Sequence, residues 1–151
     1  VLRKSDQSNK LLQFHSDIRS DKIKKLEKNN SASMLFYDKE EKIQVRVKIK
    51  CTINHENEIT KQSWLKTGHM SRKCYLVDNG PGTESATPTS GLKPELDNFD
   101  FTMEQSEEGY KNFTVIQCKI KSLEWLYLAA KGHRRARFEF SDYTKGYWLI
   151  P

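Results

Sequence analysis

The segment KIQVRVKIKCTI, residues 42–53, alternates without a break. Ile43, Val45, Val47, Ile49, Cys51 and Ile53 fall on one side, and Gln44, Arg46, Lys48, Lys50 and Thr52 on the other. A period of two sustained over this length matches the pleat of a strand and no helix. The chain therefore holds a long strand with one buried face. Its other segments supply partners: LLQFHS (11–16), SASMLFYD (31–38), NFTVIQCKIK (112–121), LEWLYLA (123–129), ARFEFS (136–141) and YWLI (147–150) all read as strands rich in β-branched or aromatic residues. LEWLYL is apolar on both faces, as in a central strand or one buried in a dimer.

Helical patterns are short and few. Arg19–Asn29 predicts a helix with Ser20 as N-cap and Ile23 and Leu26 on one face. Glu56–Lys66 predicts a second, with Ile59, Trp64 and Leu65 as its apolar positions. KCYLV at 73–77 reads as a short strand or the end of a helical turn. Residues 78–94 hold three of the four prolines and predict a long loop. Many strands with a few short helices point to a mainly β fold, a small β-barrel with helical inserts, in a single domain over 1–151.

Bulk properties narrow the function. No apolar run approaches the roughly 20 residues that cross a bilayer, and no leader pattern opens the chain, so no membrane partner is expected. Cys51, Cys74 and Cys118 fit neither a disulfide framework nor a metal knuckle. Cys51 and Cys118 read as small buried thiols in strands, and a reducing, cytoplasmic setting is expected. The net charge of +6 and pI of about 9.2 favour anionic partners, whether phosphate-bearing cofactors, nucleic acid or an anionic membrane surface. His15, His55, His69 and His133 lack metal-binding spacing, and no nucleophile elbow or P-loop is present, so hydrolases and metalloenzymes are not expected.

Two segments carry candidate binding chemistry. FHSDIRSDK (14–22) runs from a strand into a helix N-terminus with two serine hydroxyls, Arg19 and Lys22. It is either an anion cradle or ordinary capping by Ser20 amid exposed charges. GHRRAR (132–137) packs His133, Arg134, Arg135 and Arg137 together, with Arg135 and Arg137 on the face opposite Ala136, Phe138 and Phe140. It is either a solvated strand edge, a nonspecific nucleic-acid contact or a seat for an anionic ligand across the sheet. Gln44 is the one uncharged amide on the long strand's polar side.

In chain order, VLR, FHSDIRSDK, LEKNNSASMLFY, IQVRV and LEWLYL…HRRARF…WLIP resemble segments of the pyridoxamine 5'-phosphate oxidase-like, FMN-binding split-barrel family. The resemblance spans nearly the whole chain and is weakest between residues 54 and 110. It implies a split β-barrel of the FMN-binding type that forms a homodimer, with one FMN in each of two interface clefts. It also implies that Arg3, His15, Ser16, Ser20, Lys22, Gln44, Tyr127 and Arg137 bind the cofactor, Ser20 and Lys22 nearest its phosphate, and that His133 and Arg135 face a small-molecule substrate.

Departures from the family pattern mark a divergent, oxidase-related branch. The first-strand phosphate-contacting Arg would fall before Val1, Asp21 stands where the oxidases place a basic residue, and His133 and Arg135 stand at the positions of their R-x-H pair. Trp148 replaces the tail Arg. The implied function is an FMN-dependent oxidoreductase of unassigned substrate. A flavin carrier or stress-related protein without turnover and, less favoured, a basic nucleic-acid-binding β-barrel are the alternatives.

Overall fold

The computed structural model describes residues 1–97, 101–141 and 143–151. Among the described residues, seven strands join in one antiparallel sheet: β1 (Leu2–Asp6), β2 (Leu11–Asp17), β3 (Ser31–Asp38), β4 (Ile43–His55), β5 (Phe113–Tyr127), β6 (Arg134–Phe140) and β7 (Thr144–Leu149). The long alternating strand is β4, and its polar and apolar residues separate as the pattern requires. Val47, Ile49 and Cys51 are buried, while Arg46, Lys48, Lys50 and Thr52 are exposed.

β4 pairs with β3 along one edge and with β5 along the other, from Ile43↔Tyr127 to His55↔Thr114. The opposite edge of β5 is shared. Its first half, Phe113 to Lys119, takes β2, and its second half, Ser122 to Tyr127, takes β6, which carries β7. One strand with two successive neighbours on one edge divides the sheet, giving the expected split β-barrel.

The expectation of two strands, 112–121 and 123–129, is corrected here: they are one continuous strand. A bulge lies at Lys121, because Ile49 pairs with Ile120 whereas Lys48 pairs with Ser122. An extra residue reverses the side-chain phase, so Ile116, Cys118 and Ile120 face inward before the bulge and Leu123 and Trp125 after it. That change of phase looks like a strand boundary in the sequence.

The barrel interior collects Leu12, Val47, Ile49, Cys51, Ile116 and Cys118, closed by Ile23 and Leu26 from α1 (Asp21–Lys28). Cys51 and Cys118 are buried thiols, as expected, and face each other across the strand pair with Sγ atoms 3.7 Å apart. A second cluster lies on the other face of the sheet, where Trp64, Tyr75, Phe113 and Val115 pack together. Trp64 comes from α2 (Glu58–Leu65), which starts two residues later than expected at a capping box of Asn57 and Thr60. Buried Arg72, at the end of α3 (His69–Arg72), stacks 4.6 Å from the Trp64 ring and donates to the carbonyls of Trp64 and Thr67. It also pairs with Glu107 on α4 (Met103–Glu107), so one guanidinium joins three short helices.

Residues 73–75 form a 3-10 turn, the helical of the two readings. The 78–93 stretch holds no helix or strand, as expected of a loop, and a 3-10 turn follows at Pro94–Leu96. Its base is tied down: Asp78 N donates to Gly91 O, and Arg19 donates to the carbonyls of Val77 and Asp78. Among the described residues, no helix is long and apolar enough to cross a membrane.

Phe113 is fully buried and touches Trp64, Tyr75 and His15. Phe113→Ala is expected to cost about 3–5 kcal/mol through lost burial and the cavity left behind, read from the urea midpoint at unchanged m-value.

Candidate functional site

The turn from β2 into α1 places the first group of candidates. Ser20 sits at the N-cap position, but its hydroxyl makes no capping bond. It meets the hydroxyl of buried Ser16 at 3.2 Å instead. Ordinary capping therefore does not account for these serines. The amides of Asp21 and Lys22 open the helix, where first-turn N–H groups have no intrahelical acceptor, and two hydroxyls lie at the same helix start, a set of donors suited to an anion.

The cations are arranged differently from the expectation that Arg19 joins this cradle. Buried Asp17 holds Arg19 with its Oδ1 accepting from Nε at 3.0 Å and its Oδ2 from Nη2 at 2.8 Å. The same guanidinium fastens the 77–78 backbone, so Arg19 is a structural strap. Lys22 is left as the cation of the turn, its ammonium 5.4 Å from the Phe14 ring centroid. Asp21 is exposed and engaged by Lys24 at 3.1 Å.

His15 points to the other face of the sheet. With Arg3, Gln13, Ser63, Lys66 and Gln117 it bounds a polar hollow of ≈ 430 Å³ between β1, β2 and the α2–α3 turn. Gln13 Nε2 donates to Ser63 Oγ at 3.3 Å, bracing one wall. The His15 ring packs edge-on to Phe113 at 4.7 Å, and its Nδ1 is buried with no hydrogen-bond partner among the described residues. Burial, then the positive charges of Arg3 and the N-terminus, lower its pKa from 6.5 to about 4. His15 is thus a neutral imidazole at pH 7, with a buried ring nitrogen left unpaired among the described residues.

The remaining candidates lie at the far end of the sheet. Directly opposed residues in antiparallel strands share a face. One row runs Tyr37–Gln44–Leu126–Arg135–Leu149, and the next runs Leu35–Arg46–Glu124–Arg137–Tyr147. Gln44, Arg135 and Arg137 therefore come together, on the same face as His15. Tyr127, opposite Ile43, belongs to the other face, where it stacks on Trp125 at 6.2 Å beside an apolar hollow of ≈ 600 Å³ lined by Trp125, Phe138 and Trp148. His133 is exposed in the connection before β6.

Glu124 was not anticipated. Its carboxylate is mostly buried and accepts from Arg137 Nη2 at 2.6 Å and Nε at 3.1 Å on one oxygen, and from Arg135 Nη2 at 2.5 Å on the other. These bonds hold its pKa at about 2, well below the usual carboxylate range. The available signal was a lone acid inside apolar LEWLYL, in a chain whose next strand alternates arginines.

The two groups do not meet within one chain. The His15 row crosses β4 at Asn54 and the Arg137 row crosses it at Arg46, eight residues apart. That separation is roughly 26 Å of strand.

Residues 2–55 match the model of the family described as pyridoxamine 5'-phosphate oxidase, FMN-binding domain. The resemblance to this FMN-binding family holds. The matched segment contains β1 to β4, and so the Ser16–Ser20 turn, His15 and Gln44. Among curated proteins, none matches the chain. Among solved structures, a pyridoxamine 5'-phosphate oxidase-related, FMN binding protein from Nostoc punctiforme PCC 73102 is similar at a TM-score of 0.78 with 16% identity, covering 100% of this chain and 78% of its own. PhzG from Burkholderia lata 383, solved with tetrahydrophenazine-1-carboxylic acid, is similar at 0.73 with 16% identity, covering 99% of this chain and 72% of its own. Both likenesses concern the fold.

Between its ordinary pKa of 6.5 and about 4, His15 binds fewer protons in the folded than in the unfolded chain. Stability then rises with pH across that window and is lost as pH falls through it. Denaturant titrations from neutral pH down to pH 4 are expected to show this decline, and His15→Gln is expected to flatten it.

Proposed function

We propose that this protein binds FMN and acts as an FMN-dependent oxidoreductase on a small-molecule substrate. The observation that carries the reading is the Ser16–Ser20 hydroxyl pair, withheld from capping at the start of α1, inside a segment that matches an FMN-binding domain. The residues fit the cofactor's chemistry. Ser16, Ser20, the first α1 amides and Lys22 would hold the phosphate. Arg3 and neutral His15, which line the polar hollow, would meet its polar groups. Gln44 and Arg137 would contact the ring system, from the sheet face opposite to Tyr127. His133 and Arg135 would meet the substrate.

The strand distance between the two groups favours a homodimer. About 26 Å of strand separates the His15 row from the Arg137 row, farther than one flavin mononucleotide extends, so one site draws on two copies of the chain. Exposed Phe36, Tyr127, Phe138 and Trp148, inward-facing in the register but uncovered, give such a partner an apolar surface to bury. Two sites per dimer follow from the two-fold symmetry of an isologous pair.

Bound FMN would supply two-electron redox chemistry, accepting or donating a hydride. The chain's part is to bind and orient. Positive charge from Arg137 favours a negative charge developing in the ring, and the neutral His15 ring presents a nitrogen without adding charge. A second reading, flavin binding without turnover, is favoured by one feature: Glu124 already engages both arginines assigned to ring and substrate. Steady-state turnover with amines or reduced nicotinamides separates the two.

Purified protein mixed with FMN is expected to keep a flavin spectrum through gel filtration and to elute as a dimer. Lys22→Ala and Ser20→Ala are each expected to weaken FMN binding on the order of tenfold to a hundredfold, the range for one hydrogen bond to a charged group, read by flavin fluorescence. A colourless protein indifferent to FMN would sink the reading.

A further inference from the structure

We infer that Glu124 is a positioning residue for the flavin site: it fixes the guanidinium groups of Arg135 and Arg137 and sets the positive charge they carry into that site. The inference rests on the FMN reading above.

The geometry is specific. Glu124 lies directly across the β5–β6 pair from Arg137 and diagonally from Arg135. Each of its oxygens serves one arginine, and its side chain is 11% exposed against 31% and 36% for theirs. The acid is thus the covered member, lying beneath two arginines that reach toward solvent. Arg137 turns its Nε–Nη2 edge to the carboxylate, which leaves Nη1 pointing elsewhere. Arg135 spends only Nη2, so its Nε and Nη1 make no bond to the protein among the described residues. Two long, rotamer-rich side chains are thereby held with donors unused.

Folding alone gives little reason for this arrangement. A covered ion pair is often no more stabilising than well-packed apolar residues in its place, and the flanking positions of β5, Leu123, Trp125 and Leu126, show that the strand otherwise favours apolar residues. Donors locked before a ligand arrives do not need to be ordered when it binds. The carboxylate also reduces the charge of the trio from +2 to +1, by the count of two guanidiniums and one carboxylate. Such a site tolerates a flavin in both redox states, instead of strongly preferring the more anionic, reduced one. On the same face, Glu139 is the next acid along β6, and it accepts from the Tyr147 hydroxyl at 3.1 Å.

The test uses the full chain and measures dissociation constants for oxidised and for reduced FMN, anaerobically in the second case, together with the melting temperature. Glu124→Gln keeps the shape and removes the charge. Its oxidised-to-reduced ratio of dissociation constants is expected to rise on the order of tenfold, as one unit charge near the ring would produce. Glu124→Asp keeps the charge but is too short to span both arginines. It is expected to weaken oxidised FMN on the order of tenfold while leaving the ratio near that of the unaltered protein.

A ratio unmoved by Glu124→Gln, even with a lowered melting temperature, overturns the inference and leaves a structural role. If Glu124→Gln does not fold, Glu124→Asp decides: affinity equal to the unaltered protein's overturns the inference. Failure of the unaltered protein to bind FMN overturns the functional reading and this inference with it, so the two failures are distinguishable.

Discussion

The edge of β5 that changes partner at Lys121 is the constraint on which the rest of the structure depends. A strand edge can pair with only one neighbour at a time, and β5 uses its edge twice, for β2 and then for β6. β4 spans the junction on the other side, so the two parts of the sheet stay in one hydrogen-bonded frame. The bulge keeps both parts packed on the same interior. Without the extra residue, Leu123 and Trp125 would turn to the polar face, and Glu124 would turn inward. The same residue thus decides both where the core continues and where the Glu124 carboxylate is presented.

Local acids, more than the overall charge of +6, decide where positive charge is available. Asp17 converts Arg19 from a ligand-facing cation into a strap across the 77–78 backbone. Glu124 does something similar to Arg135 and Arg137, but leaves part of each guanidinium turned away from it. Burial keeps His15 uncharged well below neutral pH. What remains is a site made largely from hydroxyls, amides and a few placed cations. At such a candidate site, hydrogen-bond geometry would select a ligand more than bulk attraction would.

Much of the fold was legible because it rests on short-range periodicity. The alternation of 42–53, the strand at 31–38 and the apolar spacing of Ile23 and Leu26 each express a local backbone preference, and the structure places them as read. The merger of two expected strands into β5 was not legible, because a bulge and a strand end both break the alternation; only the unbroken pairing to β4 tells them apart. At the candidate site, the ordered segments from VLR to WLIP implied a set of flavin-binding residues. They did not show that Gln44 and Tyr127 lie on opposite faces, a consequence of one-residue register.

The sequence alone determined the β-rich class, the interior face of β4, the turn into α1 and the supply of hydroxyl, amide and basic groups, all of which depend on residues close in the chain. Only the tertiary structure decided which charges are available. Arg137 meets Glu124 across 13 positions of sequence and Arg19 meets Asp78 across 59. Electrostatic and hydrogen-bond energies depend on distances in space, and strand pairing sets those distances without leaving a period in the sequence to read.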